Sequence, residues 1–193
     1  MQIAVLDACI LFRGKLTDFL LCLAEQEVFD PIWSDAIHDE WTRNLHARHC
    51  IPLEKLGYRR SEMERAFPAA NCQADPHVLS DITAQCRNES ERKDAHVVAT
   101  AVAARATVIV TDNLPDFPTA ILDRYGLAKM KPDKFSQEQF HGHSSLVIAA
   151  ARTHRESMTR PPYSQGAYLD LLGGPKLGLP GLAGLLFPHK NVL

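Results

Sequence analysis

The chain has 193 residues, 46% hydrophobic and 23% charged, with 21 Lys and Arg against 23 Asp and Glu and a formal charge of −2. That length fits one ordinary domain with an appendage, and the composition is that of a folded protein, not a disordered one. The near-cancelling charge excludes a protein that wraps nucleic acid by bulk positive charge, but leaves room for a local acidic or basic site.

The opening, MQIAVLDACILF, lacks the basic start of a secretory leader and meets Asp7 after six residues. Gln2–Leu6 reads as a buried strand of a parallel sheet. Helix-spaced apolar residues follow over Asp18–Glu25. Phe29–Trp33 is a second short strand, with Pro31 suiting an edge or an end. Ser34 is placed to cap a helix that runs to about His49. A polar helix follows from about Pro52 to Phe67. Residues 71–92 are the least regular part, with Asp75-Pro76 as a turn signal. An amphipathic helix is expected over Asp94–Arg105, then the strand Thr107–Thr111 and a Pro-containing loop. A short helix over Ala120–Tyr125, a weak strand over Leu127–Met130 and a helix opened by Pro132 complete this part. Alternating strands and helices predict an α/β fold with a parallel sheet.

Beyond about residue 143 no strand pattern appears, and six of the ten Gly lie between Gly166 and Gly184. Helices are expected over Ser144–Glu156, Ser164–Leu172 and Leu177–Phe187. The expected division is a domain over 1–140 and a helical extension over 141–193. No stretch reaches the ~20 apolar residues of a membrane span. The five cysteines (Cys9, Cys22, Cys50, Cys72, Cys86) contain no C-x-x-C pair, which favours a reducing cytoplasm over a disulfide framework and gives no zinc signature.

The chemistry lies in the acids. Asp7 follows the first strand, and ligands bind at the C-terminal ends of strands in open α/β sheets; read alone, it equally suits the cap of the next helix. Glu40 borders the apolar stripe Ile37, Trp41, Leu45, as a rim residue or one aimed into a polar site. Asp94 extends the Val97, Val98, Ala101 face toward the helix N-terminus, where an acid also complements the dipole. Asp112 and Asp116 follow the strong strand, in a stretch that also reads as a turn. A parallel sheet would gather these points. Converging carboxylates need a compensating cation, and an all-oxygen set suits Mg²⁺ or Mn²⁺. Such ions serve phosphodiester hydrolysis.

The segments VLDACILF, SDAIHDEW and DAHVVATAVAARATVIVTDNLPDFP together resemble PIN-domain ribonucleases of the VapC-like toxin type over residues 1 to about 140. The tail resembles a helical C-terminal extension found on one subgroup. The resemblance implies a three-layer α/β/α fold with a central parallel sheet, and a metal-dependent endoribonuclease that leaves 5′-phosphate and 3′-hydroxyl ends. It also implies a cognate antitoxin and a homodimer. The family's first three acids carry over to Asp7, Glu40 and Asp94. In place of the usual Thr-x-Asp the chain has Thr111, Asp112, Asn113, so the fourth acid falls to Asp116, with Asp112 as the alternative. Thr111 and Asn113 are then expected to hydrogen-bond metal ligands or their waters, and Ser34 to orient groups near the site. Arg13, Lys15, Arg43, Arg48, Arg87, Arg92 and Lys93 are candidate contacts for RNA phosphates.

A catalytically silent PIN-like module that binds RNA or protein is the alternative, motivated by Asn113. A haloacid dehalogenase-type phosphatase needs a second Asp where Cys9 stands. A Rossmann dehydrogenase needs a Gly-rich turn after the first strand, and none is present.

Overall fold

The computed structural model describes residues 1–193. The strands are β1 (Gln2–Leu6), β2 (Phe29–Ile32), β3 (Val108–Val110) and β4 (Ala128–Met130). They form one sheet in the order β2-β1-β3-β4, in which β1 pairs in parallel with β3 and β3 with β4. The α/β expectation therefore holds. The helices are α1 (Ala8–Leu11), α2 (Gly14–Glu25), α3 (Asp35–His49), α4 (Leu53–Ala66), α5 (Pro76–Gln85), α6 (Glu89–Ala103), α7 (Thr119–Arg124), α8 (Pro132–Ser157), α9 (Gln165–Gly173) and α10 (Pro180–Leu186). None is long and apolar enough to cross a membrane.

The chain forms two compact units. One comprises Gln2–Phe12 and Pro31–Met130; the other comprises Met1, Arg13–Asp30 and Lys131–Leu193. The 140/141 boundary expected from sequence falls inside α8, close to a break in helical geometry at His143.

In the first unit the middle of the sheet is wholly buried: Ala4, Val5 and Leu6 of β1, and Val108, Ile109 and Val110 of β3, are 0% exposed. Burial of each such Val, Leu or Ile side chain stabilises the fold by about 1.5–3 kcal/mol. Helix α6 packs against both strands through Val97, Val98 and Ala101. Ser34 caps α3 by accepting from the Ile37 N–H at 3.4 Å. The helix buries Ile37, His38, Trp41 and Leu45, and the Trp41 indole donates to His38 Nδ1 at 2.8 Å. Arg60 of α4 reaches Asp35 and Asp39 on α3 and Glu64 on its own helix, which ties the two helices together.

Between α4 and β3 the helices differ from expectation. Residues 76–85, read as irregular, form α5, started by Asp75 accepting from the His77 and Val78 N–H groups with Pro76 in the first turn. Helix α6 begins at Glu89, not Asp94. Asn88 Oδ1 accepts from the Glu91 N–H at 2.9 Å, and the Glu91 carboxylate returns to the Asn88 amide and the Arg87 N–H. This reciprocal cap adds a turn, so Asp94 stands inside the helix and not in its first turn.

In the second unit α2 packs on α8, and α10 packs on α8 and α9. The segments expected after Pro132 and over 144–156 are one helix, α8, bent at His143. Asp133 of α8 accepts from the Gly181 and Leu182 N–H groups at 3.0 Å each, fixing the start of α10. His154 Nδ1 lies 3.0 Å from the Tyr168 hydroxyl, between α8 and α9. At Gly178 the backbone has φ of +70°, and an added Cβ would meet the Arg13 guanidinium at 2.9 Å, so this turn needs glycine.

Candidate metal centre

The site lies in the sheet-containing unit and follows from strand register. Leu6 pairs with Val110, so the next residues, Asp7 and Thr111, leave the sheet side by side. The Asp7 N–H donates to the Val110 carbonyl at 3.1 Å, and the Thr111 N–H to the Met130 carbonyl at 2.9 Å. Although Asp7 precedes α1, its side chain makes no capping bond there. Instead its Oδ2 accepts from the Thr111 hydroxyl at 2.7 Å and from the Cys9 thiol at 3.0 Å. Asp7 is 3% exposed and Thr111 is 0% exposed, so this carboxylate is buried but bonded.

Thr111 is itself held: its Oγ1 accepts from the Asn113 N–H at 2.9 Å. Asn113 thus contributes its backbone. The Cys9 sulfur accepts from the Asp112 N–H at 3.3 Å. Burial and the Asp7 charge push the Cys9 thiol far up, so it acts as a donor and not as a thiolate. Cys9 escaped the sequence reading as a site residue; its position two places after Asp7, on the first turn of α1, is the signal that would have found it.

Glu40 on α3 and Asp94 on α6 are carried by helices in contact, and both are half-buried. Asp94 is pushed up to about 7, first by burial, then by the charges of Asp7, Glu40 and Asp116. Glu40 is also raised, chiefly by burial, with His96 opposing and Asp7 adding to the rise. Four acids from distant segments therefore share one electrostatic environment. Asp116 acts on Asp94, whereas the Asp112 side chain is exposed on the loop. As the chain stands, no three His, Cys, Asp or Glu side chains close into a cage for a metal ion. Bare carboxylates repel, so a spread arrangement is the expected resting geometry.

A PIN-domain model matches residues 4–114, the span that carries Asp7, Glu40, Asp94 and Thr111. The chain belongs to the PIN-domain family. A second model, the VapC50 C-terminal domain, matches residues 132–187. Over 137 residues the chain is 34% identical to "Putative ribonuclease VapC50" of Mycobacterium tuberculosis (strain ATCC 25618 / H37Rv), covering 71% of this chain and 80% of that protein. No solved structure matches the chain. The α/β PIN-like fold and the VapC-type helical extension expected from the sequence are thus both present.

Two further residues of this PIN domain bear on the acids. His96 Nδ1 lies 2.8 Å from the Lys93 carbonyl, an acceptor only, so Nδ1 carries the proton. Nε2 then faces Glu40 Oε2 at 3.5 Å. Lys129 of β4 donates to the carbonyls of Leu114 and Phe117 at 2.9 and 2.6 Å, clamping the 3₁₀ turn that carries Asp116. That clamp has no signature in the sequence, since Lys129 sits in the weakest strand. Ser34 is buried as the cap of α3, the helix that carries Glu40.

Of the seven candidate cations, five have other partners. Arg13 donates to the Leu177 carbonyl and Lys15 lies over the Tyr163 ring. Arg48 lies over Phe12, Arg87 pairs with Glu91, and Arg92 approaches Glu89 at 3.9 Å. Arg43 and Lys93 face a cavity of about 450 Å³ that also touches Glu40 and His96.

Proposed function

We propose that this protein is a Mg²⁺- or Mn²⁺-dependent endoribonuclease that cuts RNA to 5′-phosphate and 3′-hydroxyl ends. It acts in the cytoplasm as the toxin of a toxin–antitoxin pair. The observation that carries this reading is that Asp7, Glu40, Asp94 and Asp116, from four separate segments, are gathered around Asp94, whose carboxyl is raised first by burial and then by the other three charges. Such mutual strain among acids is costly in a bare protein and is relieved by a divalent cation. The donors are all oxygen, which fits Mg²⁺ or Mn²⁺ better than zinc. Asp7, Glu40, Asp94 and Asp116 would hold the ion, with Asp112 as the alternative fourth acid. When bound, it supplies charge stabilisation at the phosphodiester and makes water a better nucleophile.

The chain's own groups do the rest. Thr111 and Cys9 hold one oxygen of Asp7 and so orient the other. Glu40, raised chiefly by burial and then by the Asp7 charge against the opposing His96, is suited to take up a proton. The chemistry is assigned to residues 1–140, with 141–193 as the extension. An acidic site invites a basic plug, which is the form expected of the antitoxin, and the active protein is expected to be a homodimer.

The test is cleavage of defined RNAs with Mg²⁺, Mn²⁺ or EDTA, with product ends mapped. Asp7→Asn should abolish metal-dependent products while the protein stays folded. RNA binding that survives EDTA with no products would replace the enzyme by the silent module. Growth arrest on expression, relieved by a small neighbouring frame, tests the toxin role; harmless expression of active enzyme would remove it.

A further inference from the structure

Helices α3 and α6 border one cavity of about 450 Å³, lined by Ala36, Asp39, Glu40, Arg43, Lys93 and His96. Its volume is that of a small-ligand site. The charges on its wall are not balanced locally. Asp39 is taken by Arg60 at 3.2 Å, and Glu40 faces His96 at 3.5 Å. Arg43 and Lys93 are exposed, and neither joins an ion pair like those that hold Arg60, Arg65 or Arg87. Their placement is specific: Arg43 stands one turn after Glu40 on α3, and Lys93 directly precedes Asp94 on α6.

We propose that this cavity is a subsite for a second backbone phosphate of the RNA, held by Arg43 and Lys93 beside the phosphate that lies at the four acids. The proposal rests on the ribonuclease reading above. A nucleic-acid strand carries one phosphate per nucleotide, so a strand with one phosphate at the acids must lay a neighbouring one along an adjoining wall. Of the seven cations considered, Arg43 and Lys93 are the two that line this wall. Both already act electrostatically on the acids, Arg43 on Glu40 and Lys93 on Asp94. They contribute position and electrostatic attraction, not base recognition, so the subsite is blind to sequence. An acidic protein segment would find Glu40 and Asp39 on the same wall. A phosphodiester placed by a neighbouring phosphate at the acids reaches the cations in register.

The experiment measures binding separately from cleavage. Asp7→Asn protein is titrated with fluorescent single-stranded RNA at several salt concentrations. Adding Arg43→Ala and Lys93→Ala should weaken binding about tenfold and flatten the log–log salt slope by about 0.7, the contribution of one single-strand phosphate. Arg65→Ala is the control, an exposed cation paired with Glu62 away from the cavity, and should leave the slope as it was. An unchanged slope in the double variant, or an equal effect from Arg65→Ala, overturns the subsite. So does a polyglutamate peptide that binds in an Arg43- and Lys93-dependent way while RNA does not. Absence of cleavage by the unaltered protein with either metal would instead overturn the nuclease reading, and the salt slope would still decide the subsite.

Discussion

The Thr111 hydroxyl donates to Asp7 Oδ2 at 2.7 Å across 104 positions of sequence. The bond exists because Leu6 and Val110 are register partners in adjacent parallel strands. It fixes which oxygen of the buried acid is occupied and which remains to be offered. Cys9 reinforces the same oxygen from the other side at 3.0 Å, so the orientation of Asp7 is determined twice.

Thr111→Val keeps the shape of the side chain and removes the donor. Loss of a hydrogen bond to a charged group costs about 1.5–3 kcal/mol, and here it leaves the buried carboxylate oxygen with the Cys9 thiol as its one remaining side-chain donor. Metal-dependent cleavage is expected to fall roughly 10- to 100-fold, as for other groups that orient a metal ligand. Thr111→Ser should restore most of it. Measuring half-saturating Mn²⁺ for the three proteins checks this, and a Val variant with unaltered metal demand would remove the positioning role.

Lys129 acts at the other end of the site. Its ammonium bridges the Leu114 and Phe117 carbonyls, which bracket Asp116. Lys129→Met should release that turn, so more Mn²⁺ is needed for half-maximal cleavage, while Lys129→Arg partly restores the clamp. If the fourth charge comes from Asp112 instead, Asp112→Asn will be the more damaging change and Asp116→Asn the milder one. Cleavage across a metal titration separates the two outcomes.

The parts of this architecture that depend on local pattern were legible in the sequence. QIAVL and TVIVT are apolar runs that had to be strands, and Ser34 announced the start of α3. Helix α5 was passed over because its apolar set is short, Val78, Leu79 and Ile82 over little more than one turn, although Asp75-Pro76 marks its start. The first turn of α6 was hidden because residues 89–93 are nearly all charged, so the apolar period begins at Asp94. The Asn88–Glu91 capping pair was present and would have moved the boundary. In the site, the acids stood at recognisable landmarks. Thr111 stood out as a support through the family resemblance, but its pairing with Asp7, and the reach of Lys129 to Leu114, depend on strand pairing that one sequence cannot display.

Asp94 sets stability against function. Its carboxyl is raised to about 7 by burial and three neighbouring acids, so the fold favours its protonated form. An unfolded chain releases that proton near the ordinary value of about 3.9. The metal-free protein is therefore most stable with respect to this group below that pH, and loses stability as pH rises toward 7. Asp94→Asn imitates the neutral form. It should raise the melting temperature of the EDTA-treated protein at pH 8, show little gain near pH 4, and abolish cleavage. A variant no more stable than the parent at pH 8 would mean that the acids are too far apart to strain one another.

His38 and His154 give the opposite slope, one in each compact unit. Burial lowers each from 6.5 to about 4, with Arg60 adding to the effect at His38 and Lys15 at His154. Both rings are enclosed, at 0% and 2% exposure, and His38 Nδ1 must stay unprotonated to accept from the Trp41 indole. The unfolded chain binds a proton at each below about 6.5, whereas the folded chain resists until about 4. The stability that these rings contribute is complete above pH 6.5 and is lost as pH falls through that window. A shift of this size corresponds to about 3 kcal/mol for each ring when fully developed. The urea midpoint of the metal-free protein should reflect the sum of these losses and the recovery at Asp94. In the Asp94→Asn background the recovery is absent, and the midpoint should fall steadily between pH 6.5 and 4.5. A flat profile there would mean that the two histidines are already charged in the fold.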